Sequence, residues 1–152
     1  MKKMMILTLS AFLVCSVCSF AKSEEIKWYS WNEGYELSKK ENKPMLIFVH
    51  ATWCNMCKRL EEKTFNSDGV VPIVTEKFIP VKLNAEEKIE YQLGGEKVSV
   101  GKVLKTITID ITKGLSVPTT VLWFADSKKG KVITGLLEPD QMKKALSAKV
   151  KK

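Results

Sequence analysis

The segment "HATWCNMCKRLEEKTF" (His50–Phe65) contains two cysteines separated by two residues, together with the chain's only histidine. Cysteine thiolates form disulfides, bind soft metal ions and attack other disulfides. Cys54 and Cys57 are therefore candidates for a metal site, a structural disulfide or a reactive dithiol. The other cysteines, and the element that carries the pair, decide among these three possibilities.

A second cysteine pair, Cys15 and Cys18, lies in a segment with the features of a secretory signal peptide. A basic start is followed by a mostly apolar stretch, and small residues precede a cleavage site after Ala21. We predict a signal peptide over residues 1–21, cleaved rather than kept as a membrane anchor or lipid-modified. One compact domain over residues 22–152 would then be exported to the periplasm or secreted.

Export narrows the interpretation of the cysteines. Without the signal peptide only Cys54 and Cys57 remain, and they cannot form a tetrahedral zinc site of Cys and His with the lone His50. A disulfide between residues three apart closes almost no loop, so it adds little stability. We therefore favour a reactive dithiol that needs neither a metal nor a cofactor.

The formal charge of +8 at pH 7 falls to +6 without the signal peptide, and lysines are spread along the chain. A basic surface can favour acidic partners or anionic lipid headgroups. No basic motif interleaved with aromatic residues indicates binding to nucleic acid. We expect a monomeric domain that does not bind nucleic acid.

The order of apolar patterns predicts an α/β domain. "PMLIFVHA" (44–51) and "FIPVKLNA" (78–85) are nearly continuous apolar runs, which are typical of strands buried on both faces. "TTVLWFAD" and "KVITGLL" predict a hairpin, and "LGGEK" is assigned to a polar connection. Helices are predicted from Ser30 or Asn32 to Asn42, from Cys54 to Phe65, over 68–78 and over 138–150. Residues 99–114 are also predicted as a helix, although Ile107, Ile109 and Ile111 alternate as in a strand.

The predicted elements place Cys54 at the start of a helix, directly after a core strand. Unpaired backbone amides and the helix dipole there favour an anion by at most about 2 kcal/mol, which lowers a thiol pKa from about 8.5 to about 7. Cys54 is therefore the predicted nucleophile, and Cys57, one turn later, would resolve the mixed disulfide. Asn55 and Met56 supply no cation to stabilise the thiolate further, which favours a reductase or balanced exchange over disulfide donation by a strong oxidant.

Two motifs, "TWCNMCK" (52–58) and "SVPTTVLWF" (116–124), resemble the paired signature of the thioredoxin-like superfamily. The chain is most similar to secreted thioredoxin-related proteins, including the C-terminal reductase domain of DsbD. The resemblance implies a thioredoxin fold, with a central mixed β-sheet flanked by helices. It also implies a cis-proline, which in this sequence follows an enlarged segment (86–115).

The resemblance assigns further site residues. Pro118 matches the family's cis-proline, beside which the backbone of Val117 can pair with a substrate chain in strand fashion. Trp53 matches the tryptophan that flanks the nucleophile and shapes the docking surface. Ordinary packing is an equally plausible role for Trp53.

The sequence departs from the family pattern at two places. Thioredoxins usually carry a buried aspartate six residues before the first cysteine, and this position is Phe48. Proton transfer would then need Glu61, which matches a helix glutamate of the DsbD-type domain, or His50, or water. The segment 86–115 is also longer than its thioredoxin equivalent and can cover one side of the site.

These expectations define a periplasmic thiol:disulfide oxidoreductase that reduces protein disulfides and is itself reduced by a membrane electron donor of the DsbD type. Two alternatives stay open. One is a redox-inactive binding module with a thioredoxin fold. The other is a thiolate carrier that uses Cys54 and Cys57 to bind Cu(I).

Overall fold

The computed structural model describes residues 25–108, 116–125, 127 and 130–147. The predicted signal peptide lies outside these residues, as does the end of the enlarged segment. Within them, no helix combines the length and apolar character needed to cross a membrane. The elements are α1 Trp31–Glu41, β1 Met45–His50, α2 Asn55–Arg59 with a π-helical continuation Leu60–Phe65, α3 Val71–Lys77, β2 Ile79–Asn84, β3 Glu90–Leu93, β4 Glu96–Ser99, α4 Val100–Thr108, β5 Thr119–Trp123, β6 Lys131–Thr134 and α5 Pro139–Ser147.

The main sheet has four strands in the order β2-β1-β5-β6. β1 pairs in parallel with β2 and antiparallel with β5, and β5 pairs antiparallel with β6. β1 is central and is buried from Met45 to Val49, as expected for a strand covered on both faces. The sheet is therefore mixed and flanked by helices, which confirms the predicted architecture.

Alternate residues of β1 enter two separate apolar clusters, one on each face of the sheet. Leu46 and Phe48 belong to the cluster formed with the cysteine-bearing helix, α3 and α5. Met45, Ile47 and Val49 belong to the other cluster, which α1, α4 and the β3–β4 hairpin complete. The dithiol and the enlarged segment thus lie mainly against opposite faces of the sheet.

The predicted first helix is confirmed, with Ser30 rather than Asn32 as its N-cap. The Ser30 side chain accepts a hydrogen bond from the Glu33 amide, and the Glu33 carboxylate accepts one from the Ser30 amide at 3.0 Å. This reciprocal pair is a capping box. The helix ends at Asn42, whose left-handed backbone (φ 52°) closes the last turn.

The segment "LGGEK", assigned to a polar connection, instead lies in the β3–β4 hairpin: Leu93 ends β3, Gly94 and Gly95 form the turn, and Glu96 and Lys97 begin β4. Gly94 and Gly95 have φ values of +62° and +88°, which match a two-residue turn that favours glycine at both central positions. The sequence does contain a hairpin signal, because Gly94-Gly95 separates two short segments of strand length. The helix predicted over 99–114 is present as Val100–Thr108, and the remainder of that prediction lies outside the described residues.

The helix predicted from Cys54 to Phe65 is α-helical only as far as Arg59 and then widens into π-helical turns. Leu60, Thr64 and Phe65 are all buried. A wider turn brings residues four and five apart onto one side, so these three can face the core together. The Thr64 hydroxyl donates to the Leu137 carbonyl at 2.6 Å and ties this turn to the chain before α5.

Gly34 in α1 packs closely on β2, so replacing it with alanine should destabilise the protein. The same replacement at a helical glycine with free space around it should not. A Cβ at Gly34 would lie 2.1 Å from Cγ2 of the fully buried Val81. We expect Gly34→Ala to lower the free energy of unfolding by about 1–3 kcal/mol through overpacking, which outweighs the gain of about 1 kcal/mol in helix propensity. Chemical denaturation measures this change.

The matched control is Gly101→Ala in α4, where the nearest atom to a new Cβ is the Ser99 Oγ at 3.9 Å. Here the free energy of unfolding should stay unchanged or rise slightly, because only helix propensity changes. Equal effects of the two substitutions would show that packing at Gly34 is not limiting.

Candidate active site

A short turn connects the central strand to the helix that carries the cysteines. β1 ends at His50, and the Cys54 amide donates to the Ala51 carbonyl at 3.2 Å. Cys54 is the N-cap of the helix that begins at Asn55, and its Sγ accepts a hydrogen bond from the Cys57 amide at 3.1 Å. The prediction that Cys54 lies just before the first helical turn is confirmed.

Cys54 and Cys57 form a disulfide, with their Cα atoms 5.3 Å apart. Both residues are buried, at 4% and 3% exposure, within the cluster on the helical face of the sheet. Only a small part of the sulfur surface is therefore accessible. A partner that exchanges with this disulfide must lie directly on the surrounding loops.

Two large apolar side chains next to the disulfide are unusually exposed. Trp53 is 70% exposed and Met56 is 50% exposed. Ordinary packing of Trp53 in the core is therefore wrong. Exposed apolar groups that adjoin a reactive centre are typical of a surface that contacts a partner.

The Val117–Pro118 peptide bond is cis. Val117 packs against the apolar cluster that contains both cysteines. Pro118 is buried directly before β5, and β5 begins at Thr119 opposite Val49, near the end of β1. The fold therefore brings Val117 and Pro118 to the same end of the sheet as the disulfide.

Glu61 forms an ion pair that the sequence did not indicate. The Lys82 Nζ donates to both carboxylate oxygens of Glu61, at 2.6 and 2.8 Å, and both side chains are about one-third exposed. Lys82 is opposite Phe48 in the parallel β1–β2 register, so both side chains project from the same face. The charged pair thus lies on the dithiol face, beside the fully buried phenylalanine that replaces the family aspartate.

His50 lies at the end of β1, with its ring centroid 5.6 Å from that of Phe48. Burial lowers the pKa of His50 below its ordinary value of 6.5, and the nearby Lys82 lowers it further. Glu61, Glu87 and a hydrogen bond with the Ala51 backbone oppose this shift. The imidazole is therefore neutral near pH 7 and able to accept a proton.

Glu86 is a site residue that the sequence did not reveal. One oxygen of its carboxylate, Oε2, accepts hydrogen bonds from the Thr52 amide and the Thr52 hydroxyl, both at 2.7 Å. The contact spans 34 residues, and no local pattern marks Glu86 among its acidic neighbours. Lys82 had a weak signal, since a lysine is unusual within an apolar run predicted as a core strand.

A family model described as thioredoxin-like matches residues 27–108. The chain belongs to the thioredoxin-like family. It is also 33% identical over 64 residues to the human spermatogenesis-associated protein 20, an alignment that covers 41% of this chain but only 8% of that protein. The chain thus spans a small fraction of this relative.

Solved structures of thioredoxin-like proteins share the fold. A thioredoxin from Thermus thermophilus superposes with a TM-score of 0.58 at 14% identity, covering 81% of this chain and 85% of that one. The oxidised C-terminal domain of Neisseria meningitidis DsbD gives a TM-score of 0.52 at 16% identity, covering 74% and 86%. The predicted superfamily resemblance and the thioredoxin fold are confirmed.

A thioredoxin-like fold with a Cys54–Cys57 disulfide supports thiol–disulfide oxidoreductase chemistry in general. A thiolate that attacks one sulfur of the disulfide forms a mixed disulfide and releases the other sulfur as a thiolate. Within the described ranges, no three side chains among His, Cys, Asp and Glu are grouped so as to hold a metal ion.

The charges around His50 predict how its titration responds to mutation. Lys82→Met should raise the pKa of His50, because it removes a nearby positive charge. Glu61→Gln should lower this pKa further, because it removes an opposing negative charge. The chain has one histidine, so a single imidazole resonance in an NMR titration reports both changes, and shifts in the reverse directions would contradict the arrangement.

The free energy of unfolding should also depend on the protonation of His50. Because the folded protein holds the pKa of His50 below 6.5, the unfolded chain binds more protons in the window just below that value. The stabilisation linked to His50 should therefore be complete above about pH 6.5 and decrease as the pH falls through the folded pKa. Denaturation of a His50→Gln variant, compared with the parent between pH 5 and 7, would lack this slope.

Proposed function

We propose that this chain is a periplasmic thiol:disulfide reductase that acts on protein disulfides and receives electrons from a membrane donor of the DsbD type. The observation that carries the proposal is the hydrogen bond from the Cys57 amide to the Cys54 Sγ at the start of a helix. In the reduced protein, this N–H and the helix dipole favour the Cys54 thiolate. The sulfur that must act as the nucleophile is thereby activated.

The reaction uses two thiol–disulfide exchanges. The Cys54 thiolate attacks one sulfur of a substrate disulfide, the substrate S–S bond breaks, and its other sulfur leaves as a thiolate that takes up a proton. The Cys57 thiol then loses its proton and attacks the Cys54 sulfur of the mixed disulfide. The second substrate thiol is released, and the chain keeps the oxidised Cys54–Cys57 pair until a donor dithiol reduces it.

Two groups can accept the proton from Cys57 in place of the absent aspartate. Glu61 lies on the dithiol face, where Lys82 holds its carboxylate by two hydrogen bonds. His50 is neutral near pH 7 because burial lowers its pKa. Proton transfer through His50 would make the resolving step slow down as the pH falls through this pKa, because the protonated imidazole cannot accept a proton.

The surface around the disulfide supports a polypeptide substrate. A substrate chain that pairs with the backbone of Val117 in strand fashion would also contact the exposed Trp53 and Met56. Neither Asn55 nor Met56 adds a cation beside the thiolate. A thiolate without such additional stabilisation leaves the reduced state less stable, and this favours electron flow towards the substrate.

An insulin-reduction assay with a chemical electron donor tests the reaction. We expect the protein without residues 1–21 to be active and Cys54→Ser to be inactive, because this variant lacks the nucleophile. Cys57→Ser should accumulate a mixed disulfide, because nothing resolves it. Inactivity of the wild-type protein would refute the reductase, and stoichiometric Cu(I) binding by that inactive protein would favour the thiolate carrier.

The reduction potential tests the direction of electron flow. We expect a value closer to the roughly −270 mV of thioredoxin than to the roughly −120 mV of the oxidant DsbA. Equilibration of the Cys54–Cys57 pair with glutathione buffers measures it. A value near that of DsbA would show that the protein donates disulfides instead.

The docking surface predicts a change in KM for two substitutions. Trp53→Ala and Met56→Ala should each raise the KM for a protein disulfide by about fivefold or more, because each removes apolar contacts that contribute about 1–3 kcal/mol. As a control, alkylation of reduced Cys54 by iodoacetamide should keep its rate, because a small reagent needs no docking. An unchanged KM would remove these two residues from the docking surface.

A further inference from the structure

The enlarged segment begins with a carboxylate that is attached to the loop before Cys54. The Thr52 amide and hydroxyl donate to the same oxygen of Glu86, and the nearby Trp53 side chain also lowers the pKa of this carboxylate. Glu86 is itself held in place, because its amide donates to the Asn84 Oδ1 at 3.0 Å. The carboxylate therefore connects the end of β2 to the residues that directly precede the nucleophile.

Thr52 and Trp53 are the two central residues of the turn that the hydrogen bond from the Cys54 amide to the Ala51 carbonyl closes. Both are exposed, so core packing does not fix their positions. Hydrogen bonds to a carboxylate are shorter and stronger than bonds between neutral groups, and both Thr52 bonds to Glu86 are 2.7 Å long. These bonds also lower the pKa of Glu86, and the bond from the Thr52 side chain has the largest effect. The carboxylate is therefore charged at neutral pH.

We propose that Glu86 is a positioning residue of the active site, which holds Thr52 and Trp53 in the geometry that docks a substrate and keeps a negative charge beside Cys54. The charge acts against the helix dipole, because it disfavours a second anion at the Cys54 sulfur. A less stable thiolate makes the reduced state a better electron donor. The inference rests on the proposed reductase, and it assigns to the enlarged segment a contribution to both docking and redox tuning.

Two variants separate these contributions. Glu86→Gln removes the charge but keeps an oxygen that can accept from Thr52, whereas Glu86→Ala removes both. Glu90→Gln is the matched control, because it neutralises a glutamate of the same segment that pairs with Lys97 and not with the Thr52 loop. Circular dichroism and denaturation establish that each variant is folded.

In Glu86→Gln, the pH midpoint of Cys54 alkylation should fall by about half a unit, which is about a threefold larger thiolate fraction below the midpoint. The reduction potential should become less negative, with little change in KM. In Glu86→Ala, exchange of the Thr52 amide proton should become about tenfold faster, as expected for loss of a hydrogen bond to a charged group. The KM for a protein disulfide should then rise severalfold with little change in kcat.

Thr52→Val gives an independent check, because it removes only the hydroxyl donor. Combined with Glu86→Ala it should add no further increase in KM, since both substitutions break the same contact. The positioning role would be overturned if the two substitutions raised KM additively. It would also be overturned if the Thr52 amide exchange rate and the KM stayed at wild-type values in Glu86→Ala. An alkylation midpoint in Glu86→Gln equal to that in Glu90→Gln would overturn the electrostatic role.

Alkylation and amide exchange require no turnover of a disulfide. Failure of the reductase proposal would appear as a wild-type protein that reduces no insulin. Failure of the Glu86 proposal would appear as an unchanged alkylation midpoint and unchanged amide exchange in an active enzyme. The two failures are therefore distinguishable.

Discussion

One hydrogen bond, from the Cys57 backbone amide to the Cys54 Sγ, links the fold of this chain to its chemistry. The bond exists because a buried central strand ends at His50 and a helix begins only a few residues later. The Cys57 amide lies in the first helical turn, where it donates both to the Cys54 carbonyl and to the Cys54 Sγ, each at 3.1 Å. The strand order and the apolar cluster that contains both cysteines place this turn at the end of the central strand.

The charges on the dithiol face are arranged differently from the usual thioredoxin pattern, as the sequence indicated. The family aspartate is replaced by a buried phenylalanine, and a carboxylate reaches the same region from the helix instead. It does so because Glu61 lies where the helix widens into π-helical turns, and Lys82 from the neighbouring strand binds it. The chain thus keeps a charged pair near the sulfurs while Phe48 completes the apolar core.

Much of this architecture could be predicted from the sequence because it depends on local patterns. The apolar run of β1, the capping signal at Ser30 and the position of Cys54 before a helix each involve a few neighbouring residues. The superfamily motifs then supplied the sheet topology. The hairpin at Gly94 and Gly95 also had a local signal, and it was missed because its strands are short and polar.

The contacts that could not be predicted join residues far apart in the sequence. The Lys82–Glu61 pair spans 21 residues and the Thr52–Glu86 contact spans 34. Each depends on strand register or on the path of a loop, and one glutamate among many gives no pattern of its own. The exposure of Trp53 was equally undetermined, because a tryptophan is as common in a core as on a contact surface.

The burial of both sulfurs has a consequence for how the chain interacts with the redox environment around it. A small thiol such as glutathione gains almost no binding energy from the protein surface, so it must reach a shielded disulfide by rare collisions. A macromolecule that covers Trp53 and Met56 brings its own sulfur to Cys54 and holds it there. Burial therefore slows equilibration with bulk thiols and leaves fast exchange to partners that fit the surface.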